Sequence, residues 1–333
     1  MNSHVIQIGL YGFNGHQLHV DLPENVRARV AGAATGPGES EREFPEGVKV
    51  FPHLDAMISD PEIDLVSLCS ARRQDQAEEA IRCLKAGKHV LAEKPCAFDT
   101  ATLERILKTA EENNRVFREM AASELHPSIQ AIRRQVESGA LGTIVHVQAH
   151  KSYPWHDRRP QDMGVDGGLV RQVGIHAVRF IHGVSGLRIK SIEGRSTGLG
   201  NPEAGSIQMA ASFSLELENG AVGSVNLNYL NPTNFGSWGN DQVRIFGTKG
   251  MAESVDGLKK NALYVPGQCE STDLPVPDDL CSSLYIEHLV NFLLDQTPMP
   301  TPFEDEMAMT RAMLALHKAA ETGKRVTVTC PDR

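Results

Sequence analysis

A short apolar segment that ends in Glu-Lys-Pro constrains this chain more than any other stretch. Residues 87–92 read as a buried β-strand, and Glu93, Lys94 and Pro95 follow directly. Proline cannot continue a strand ladder, so the chain must turn away there. The carboxylate and the ammonium therefore lie at a strand end, at the edge where open α/β sheets bind their ligands. A partly desolvated lysine loses its proton easily, so the pair is either a proton-handling site or a strand-end ion pair.

Short apolar strands alternate with helical segments over the first 120 residues. This pattern predicts an α/β fold with a Rossmann-type, doubly wound parallel sheet in residues 1–122. Residues 123–333 contain strands of alternating polarity, two of them joined by a hairpin turn at 218–220. We therefore predict a second, α+β domain with a large, mostly antiparallel open sheet, which serves substrate binding and oligomerisation.

Charge and cysteine usage exclude several classes of protein. The 333 residues carry a net charge of −9, with acids and bases interspersed, which argues against nucleic acid as a partner. There is no apolar run of the length that a membrane helix requires, so no membrane partner is expected. The six cysteines include no Cys-x-x-Cys pair, so neither a metal site nor a disulfide framework is predicted. Reduced cysteines and a start without a signal-peptide pattern predict a cytoplasmic protein.

Two segments resemble the Gfo/Idh/MocA oxidoreductases, the family of glucose–fructose oxidoreductase and inositol dehydrogenase. Residues 80–95 match a helix, a glycine stop, a strand and Glu-Lys-Pro in that order. Residues 166–176 look like the family's Gly-Gly-Gly-x-x-x-Asp-x-Gly-x-His helix. The resemblance covers nearly the whole chain and implies a nicotinamide-dependent enzyme that acts on a sugar, a polyol or a sugar acid.

Three residues are candidates for catalysis. The resemblance implies that Lys94 lies beside the nicotinamide and the reacting hydroxyl, and that His176 exchanges a proton with the substrate. Gln172 is four residues before His176 and so shares its helical face. Many family members carry Asp at that point, and glutamine can bind a hydroxyl but cannot take its proton. We therefore expect Gln172 to orient the substrate, and a purely structural histidine remains the alternative for His176.

A glycine loop follows the first predicted strand. Its residues, Gly12, Phe13, Asn14 and Gly15, precede a helix predicted near His16. Backbone N–H groups at such a turn, together with the positive helix end, can bind a pyrophosphate. The dinucleotide fingerprint places glycines at offsets 0, 2 and 5, and neither register of this loop is complete. The loop therefore predicts a dinucleotide site only in combination with the family resemblance.

The second strand ends at Thr35 without the acid that usually holds the adenosine ribose, and the first carboxylate after it is Glu39. The missing acid removes repulsion against a 2′-phosphate, yet no arginine follows directly to bind one. NAD and NADP therefore stay open as the cofactor. The fourth strand ends in two arginines, which lie either on the solvated surface or at an anionic group. The predicted cofactor-binding residues are Gly12, Phe13, Asn14, Gly15, Thr35, Ser70, Ala71, Arg72, Gln76, Glu93 and Lys94.

A polar, aromatic loop at residues 153–160 is the candidate for substrate contact. Trp155, His156 and Arg158 suit a sugar face and an acid group, and a plain surface loop is the equal alternative. Arg171, beside Gln172, adds a cation. An acidic substrate such as a uronate is weakly indicated by four arginines: Arg72, Arg73, Arg171 and Arg179.

The expected partners are a small sugar-like molecule and further copies of the chain, in a homodimer or homotetramer formed through the C-terminal sheet. In the strand at 207–215, Ala211 and Phe213 should face inward while Ser212 and Ser214 face the other side. Two alternatives to a dehydrogenase remain. The first is a binding or regulatory protein of the same fold, and the second is a redox-neutral lyase or hydrolase with tightly bound NAD.

Overall fold

Two compact units, each built around its own sheet, make up the chain. The computed structural model describes residues 4–267, 272–274 and 285–330. Within these, the first unit comprises residues 4–121, 164–167 and 285–300, and the second comprises 122–163, 168–267, 272–274 and 301–330.

The first unit contains a six-stranded parallel sheet. Its strands are β1 Ile6–Tyr11, β2 Ala28–Ala34, β3 Lys49–Val50, β4 Leu65–Leu68, β5 His89–Glu93 and β6 Phe117–Met120. The strand order is β3-β2-β1-β4-β5-β6, and every pair in it is parallel. The order reverses between β1 and β4, which is where doubly wound sheets open a crevice at their carboxyl ends. The predicted Rossmann-type sheet is confirmed.

The helices follow the apolar periodicity of the sequence. They are α1 Leu54–Ile58, α2 Gln76–Lys85, α3 Thr100–Glu112, α4 Pro127–Glu137, α5 Met163–Asp166, α6 Gly168–Ser185, α7 Tyr285–Asp295 and α8 Phe303–Thr322. In α3, the side chain of Asp99 accepts the Thr102 N–H at 2.8 Å and so caps the helix. Leu103, Ile106 and Ala110 recur at helical spacing and are buried, so one face of α3 packs into the core.

The helix predicted near His16 does not form. Residues 12–27 contain neither helix nor strand, although Gly12 ends β1 as expected. Gln17 explains the difference, because its side-chain amide donates to the carbonyl oxygens of Gly12 at 2.8 Å and Ser67 at 3.1 Å. These bonds hold the segment against the sheet in an irregular path. The loop therefore lacks the positive helix end that supports phosphate binding in many Rossmann domains.

The second unit contains a nine-stranded mixed sheet. Its strands are β7 Ile144–Pro154, β8 Ile189–Thr197, β9 Ala210–Leu217, β10 Val222–Asn231, β11 Gln242–Gly247, β12 Gly250–Val255, β13 Lys260–Tyr264, β14 Thr272–Asp273 and β15 Val326–Thr327. The order is β14-β13-β12-β11-β7-β10-β9-β8-β15. Strands β7 and β10 pair in parallel, and the other pairs of the described sheet are antiparallel. The predicted large, mostly antiparallel sheet is confirmed.

One face of this sheet is covered and the other is open. In β9, Ala211, Phe213 and Leu215 are buried, whereas Ser212 and Ser214 are exposed. Helix α6 packs on β7 and β10, and α8 packs on β8. The alternation predicted from the sequence is therefore observed, with helices on the apolar side and hydroxyl groups on the other.

The observed units differ from a single division of the chain near residue 122 at two short segments. Gly164–Gly167 and helix α7 lie in the first unit. The Asn14 side chain donates to the Val165 carbonyl oxygen at 2.8 Å, and Arg27 donates to the Asn291 side chain at 3.2 Å. Because such contacts join residues far apart in sequence, composition alone gave no sign of them. The functions predicted for the two segments, 1–122 and 123–333, remain predictions.

Candidate active site

A buried ionic cluster lies at the carboxyl end of β5. Glu93 is 1% exposed and Lys94 is 4% exposed. The Glu93 Oε1 atom lies 3.0 Å from His16 Nδ1 and 3.8 Å from Lys94 Nζ. Burial acts to raise the pKa of Glu93, but the His16 hydrogen bond and the charges of Lys94 and Arg73 outweigh it, and the pKa is lowered. The cluster therefore holds an ionised carboxylate among basic groups.

Gln76 ties the ends of two strands together. Its side-chain nitrogen donates to the Glu93 carbonyl oxygen at 2.5 Å, and its Oε1 accepts the Ser70 N–H at 3.2 Å. Arg73 is also buried, and its guanidinium donates to Gln76 Oε1 at 2.6 Å and to the Asn14 carbonyl oxygen. A solvated surface position is therefore excluded for Arg73. Both side chains shape the crevice by fixing the loops around it.

The glycine loop after β1 is pinned to its neighbours by backbone bonds. The Gly12 N–H donates to the Ala34 carbonyl oxygen at 3.0 Å, and the Asn14 N–H donates to that of Cys69 at 3.3 Å. Gly12 has φ +67°, and a Cβ there would stand 2.2 Å from the Cys69 oxygen. Only glycine fits this close approach. The Asn14 side chain adds a bond to the Ala71 carbonyl oxygen at 3.0 Å.

Glu39 contributes a carboxylate to this loop, a contact that was not predicted. Its Oε1 accepts the Phe13 N–H at 2.7 Å, and its Oε2 accepts the Gly36 N–H at 2.7 Å. The carboxylate thus bridges the β1 loop and the turn after β2. Thr35, which begins that turn, is half-buried. The only sign of it in the sequence was that Glu39 is the first acid after the second strand.

Two other predicted cofactor residues follow β4. Ser70 is buried and its hydroxyl donates to Glu79, whose second oxygen accepts the Tyr11 hydroxyl at 3.0 Å. Burial raises the pKa of Glu79, and the two hydroxyl donors act against that rise. Arg72 is half-buried at the start of the next turn. The Ser70 hydroxyl is therefore hydrogen-bonded inside the first unit.

In the second unit, His176 is held by a residue that sequence reasoning missed. The Ser123 hydroxyl lies 2.5 Å from His176 Nδ1, so the ring of this α6 residue is fixed from one side. The next residue, Glu124, forms an ion pair with Arg179 at 2.8 Å, and Arg179 is 0% exposed. This buried pair anchors the Ser123 segment to α6. The suggestion that Arg179 binds an acidic substrate is therefore wrong, because its charge is paired inside the unit.

Gln172 lies one turn before His176 and accepts two hydrogen bonds. Its Oε1 accepts from the Tyr229 hydroxyl at 3.0 Å and from Arg159 Nη1 at 3.3 Å. The Arg159 guanidinium also stacks 3.6 Å from the Tyr229 ring centroid. Arg159 is 5% exposed, whereas Arg158 is fully at the surface. Within the loop at 153–160, the arginine beside the candidate helix is thus Arg159.

Two ring side chains of residues 153–160, Tyr153 at the end of β7 and His156 after it, lie near Trp238. The Trp238 ring lies 5.9 Å from Tyr153 and 5.7 Å from His156. Trp238 is 57% exposed, and Trp155 is half-buried. Arg171 is half-buried on α6. Burial lowers the pKa of His317 on α8, and the charge of Arg171 adds to that shift.

Neither a metal cluster nor a membrane helix occurs in the part of the chain that the structure describes. No group of three or more His, Cys, Asp or Glu side chains there could hold a metal ion. None of the helices in residues 4–267, 272–274 and 285–330 is long and apolar enough to cross a lipid bilayer.

Comparison with known families decides the identity of the fold. Residues 5–120 match the model of an oxidoreductase family with an NAD-binding Rossmann fold, and residues 129–253 match the Gfo/Idh/MocA C-terminal domain. The chain belongs to the Gfo/Idh/MocA family. The resemblance in sequence is confirmed, as is the class, a family of NAD-binding oxidoreductases.

Curated relatives of this Gfo/Idh/MocA protein include two dehydrogenases. Trans-1,2-dihydrobenzene-1,2-diol dehydrogenase of Bos taurus is 25% identical over 230 residues, which are 68% of this chain and 65% of the relative. Inositol 2-dehydrogenase 2 of Saccharopolyspora erythraea is 26% identical over 233 residues, which are 68% of this chain and 66% of the relative. The matches thus span slightly less than two thirds of the length of either relative.

Solved structures share the fold over almost the whole chain. A Thermotoga maritima protein described as an oxidoreductase superposes with a TM-score of 0.85 and 23% identity, covering 97% of this chain and 100% of that one. A levoglucosan dehydrogenase in complex with NADH and L-sorbose has a TM-score of 0.79 and 15% identity, covering 98% and 100%. At these identities the likeness establishes the fold.

The first unit fits the dinucleotide that its family implies. The sheet order opens a crevice at the β1–β4 switch point, and three basic groups, His16, Arg73 and Lys94, stand at its edge. Glu39 offers a carboxylate where β2 ends. Residues 12–27 contain no helix, which departs from the usual arrangement, so a phosphate at this loop would not face a helix end.

Proposed function

We propose that this protein is an NAD(P)-dependent dehydrogenase or reductase acting on a hydroxyl or carbonyl group of a sugar, polyol or sugar acid. The observation that carries the proposal is the buried Glu93–Lys94 pair at the end of β5 in an NAD-binding family. Relatives named for their action on inositol and on a dihydrodiol support the substrate class. The bound dinucleotide would supply the hydride acceptor or donor.

Lys94 is proposed as the group that handles the proton of the reacting oxygen. Its ammonium is almost fully buried and lies beside an ionised carboxylate rather than in solvent. Glu93 holds this charge at the strand end and is itself held by His16. A point-like, titratable donor in such a position suits general acid–base catalysis.

His176 and Gln172 are proposed to act on the substrate from α6. Ser123 would position the His176 ring so that Nε2 faces away from the bond to the hydroxyl. Gln172 would orient the substrate, since an amide cannot take a proton. Trp155, His156, Arg158 and Arg171 remain proposed substrate contacts. The residues proposed to hold the dinucleotide are Gly12, Phe13, Asn14, Gly15, Thr35, Ser70, Ala71, Arg72, Gln76, Glu93 and Lys94.

We also propose a cytoplasmic homo-oligomer. The buried thiols of Cys69 and Cys83 are not joined in disulfides, which suits a reducing compartment. The open face of the C-terminal sheet carries small hydroxyl side chains that suit packing against an identical face.

A substrate screen tests the proposed function. Purified protein is mixed with NAD⁺ or NADP⁺ and a panel of polyols, aldoses and sugar acids, and the absorbance of the reduced nicotinamide is followed. The reverse reaction is followed with NADH or NADPH and the matching ketones and lactones. We expect turnover in at least one combination. A panel without turnover in either direction would contradict the proposal.

A second candidate is a dinucleotide-binding protein of the same fold that has lost turnover. The lost helix after β1 favours it, as do the Gly12 and Asn14 amides, which already donate to backbone carbonyls. Calorimetric titration with each nucleotide separates the two candidates. Tight binding without turnover in the screen would favour the second.

A further inference from the structure

Glu39 occupies a specific place between two loops of the first unit. The Phe13 N–H belongs to the loop after β1, and the Gly36 N–H belongs to the turn after β2. Both donate to the Glu39 carboxylate at 2.7 Å, one to each oxygen. In Rossmann domains the adenosine ribose lies at this point, beside the end of the second strand. A loop residue thus delivers the carboxylate that the strand end itself lacks.

The carboxylate retains hydrogen-bonding capacity. Each ionised oxygen has about two lone-pair sites, and each accepts one of these two backbone hydrogen bonds. One site on each oxygen remains for a further donor. The 2′- and 3′-hydroxyls of a ribose are paired donors of the kind that such a carboxylate binds.

The charged groups near Glu39 determine whether a 2′-phosphate can bind beside it. Arg42 is the basic residue nearest along the chain, and its guanidinium stacks 4.3 Å from the Phe13 ring centroid at the surface. The ring centroid of Phe44 lies 5.8 Å from that of Phe13. The Arg42 guanidinium is exposed and contacts only the face of a half-buried ring, whereas two backbone amides fix Glu39. A phosphate beside a fixed carboxylate is repelled.

We propose that Glu39 binds the adenosine ribose hydroxyls and makes this protein select NAD over NADP. The inference rests on the proposed function, since it assumes that the crevice holds a dinucleotide. In most NAD-binding Rossmann domains an acid at the end of the second strand binds the ribose, and Glu39 would do so here. The 2′-phosphate of NADP would be repelled by the Glu39 carboxylate, which the Phe13 and Gly36 N–H groups hold in place.

Direct binding tests the proposal without reference to turnover. Dissociation constants for NAD⁺ and NADP⁺ are measured by calorimetry for the wild type, Glu39→Gln and the control Glu41→Gln, an exposed neighbour of equal charge. We expect the wild type to bind NAD⁺ at least about tenfold more tightly. Glu39→Gln should reduce that ratio by about tenfold or more, mainly by tighter NADP⁺ binding, and Glu41→Gln should leave it unchanged. Thermal melting confirms that each variant is folded.

Two results would overturn the inference. A wild type that binds NADP⁺ as tightly as NAD⁺ contradicts it whatever the variants do. A clear NAD⁺ preference that Glu39→Gln leaves intact assigns the selectivity to another residue. Both results are compatible with the proposed function, because the wild type binds a nucleotide in each. A wild type that binds neither nucleotide overturns both proposals together.

Discussion

The carboxylate of Glu93 is balanced by basic groups from three parts of the first unit. His16 comes from the loop after β1, Arg73 from the turn after β4, and Lys94 directly follows β5. Because the folded pKa of Glu93 is lowered, its interactions stabilise the fold above the ordinary pKa of 4.5. That stability is lost as the pH falls through the lowered value. The Glu93 carboxylate is therefore ionised at neutral pH.

Ser123 offers a test of how His176 is positioned. Ser123→Ala removes the hydrogen bond to Nδ1, so the ring loses its fixed orientation. We expect kcat to fall about tenfold with little change in KM, because positioning a catalytic group affects the chemical step. Ser123→Thr keeps a hydroxyl and should retain most of the activity. Steady-state kinetics on a substrate from the screen measure both.

The double variant separates positioning from general damage. If Ser123 acts through His176, then Ser123→Ala adds nothing once His176→Ala is present. Independent, multiplicative losses in the double variant would assign Ser123 a structural role.

At this scale the sequence predicted the residues that belong to short motifs. Lys94, Gln172 and His176 were predicted because their neighbours in sequence carry the pattern, and their catalytic roles remain predictions. Ser123 was missed because it is 53 residues from His176, and Tyr229 because it is 57 residues from Gln172. Such contacts form only when helices and strands pack together, and the neighbouring sequence does not predict them.

The strand β5 carries a histidine whose titration couples to folding. The His89 Nδ1 atom accepts the Val116 N–H at 2.9 Å. Burial, with help from the charge of Arg115, lowers the pKa of His89 to about 4. The unfolded chain therefore binds a proton between pH 6.5 and 4 that the folded chain refuses. Stability should fall as the pH drops through that window.

Replacing this histidine should flatten the acid dependence. In His89→Asn the amide oxygen can still accept the Val116 N–H, but nothing titrates. We expect the loss of unfolding free energy between pH 7 and pH 5 to shrink by about 1–2 kcal/mol. Urea denaturation at the two pH values measures it, with the exposed His19→Asn as the control. An unchanged pH dependence would contradict the account.

Element prediction succeeded where local periodicity dominates and failed where distant contacts decide. In α3, the Asp99 cap and the buried apolar residues at helical spacing are both local features of the sequence. The helix near His16 was wrong because Gln17 bonds to Ser67, a residue 50 positions away. A polar side chain committed to the sheet overrode a pattern that otherwise suits a helix.

At the scale of the whole molecule, both sheets were predicted, since alternating polarity and strand–helix succession reflect how each face is covered. The placement of Gly164–Gly167 and α7 in the first unit was not, because it depends on side chains such as Asn14 and Arg27. A single boundary along the sequence cannot describe a unit that is built from segments far apart in the chain.

The open face of the C-terminal sheet should mediate assembly. Ser214 lies exposed on β9 and pairs with Ser224 of β10. We expect light scattering to give a multiple of the chain mass of 36.4 kDa. Ser214→Arg should shift the protein toward the monomer by introducing charge, and Glu111→Arg on the exposed side of α3 should not. A monomeric wild type at micromolar concentration would contradict this prediction.

The most direct test of the central claim separates chemistry from nucleotide binding at Lys94. Turnover of a substrate from the screen and the nucleotide Kd are measured for the wild type, Lys94→Ala, Lys94→Arg and the exposed control Lys85→Ala. We predict that both Lys94 variants lose about 10²-fold or more in kcat, since neither supplies a titratable point donor. Their nucleotide Kd should change much less, and Lys85→Ala should match the wild type. Near-normal turnover in Lys94→Ala would contradict the account.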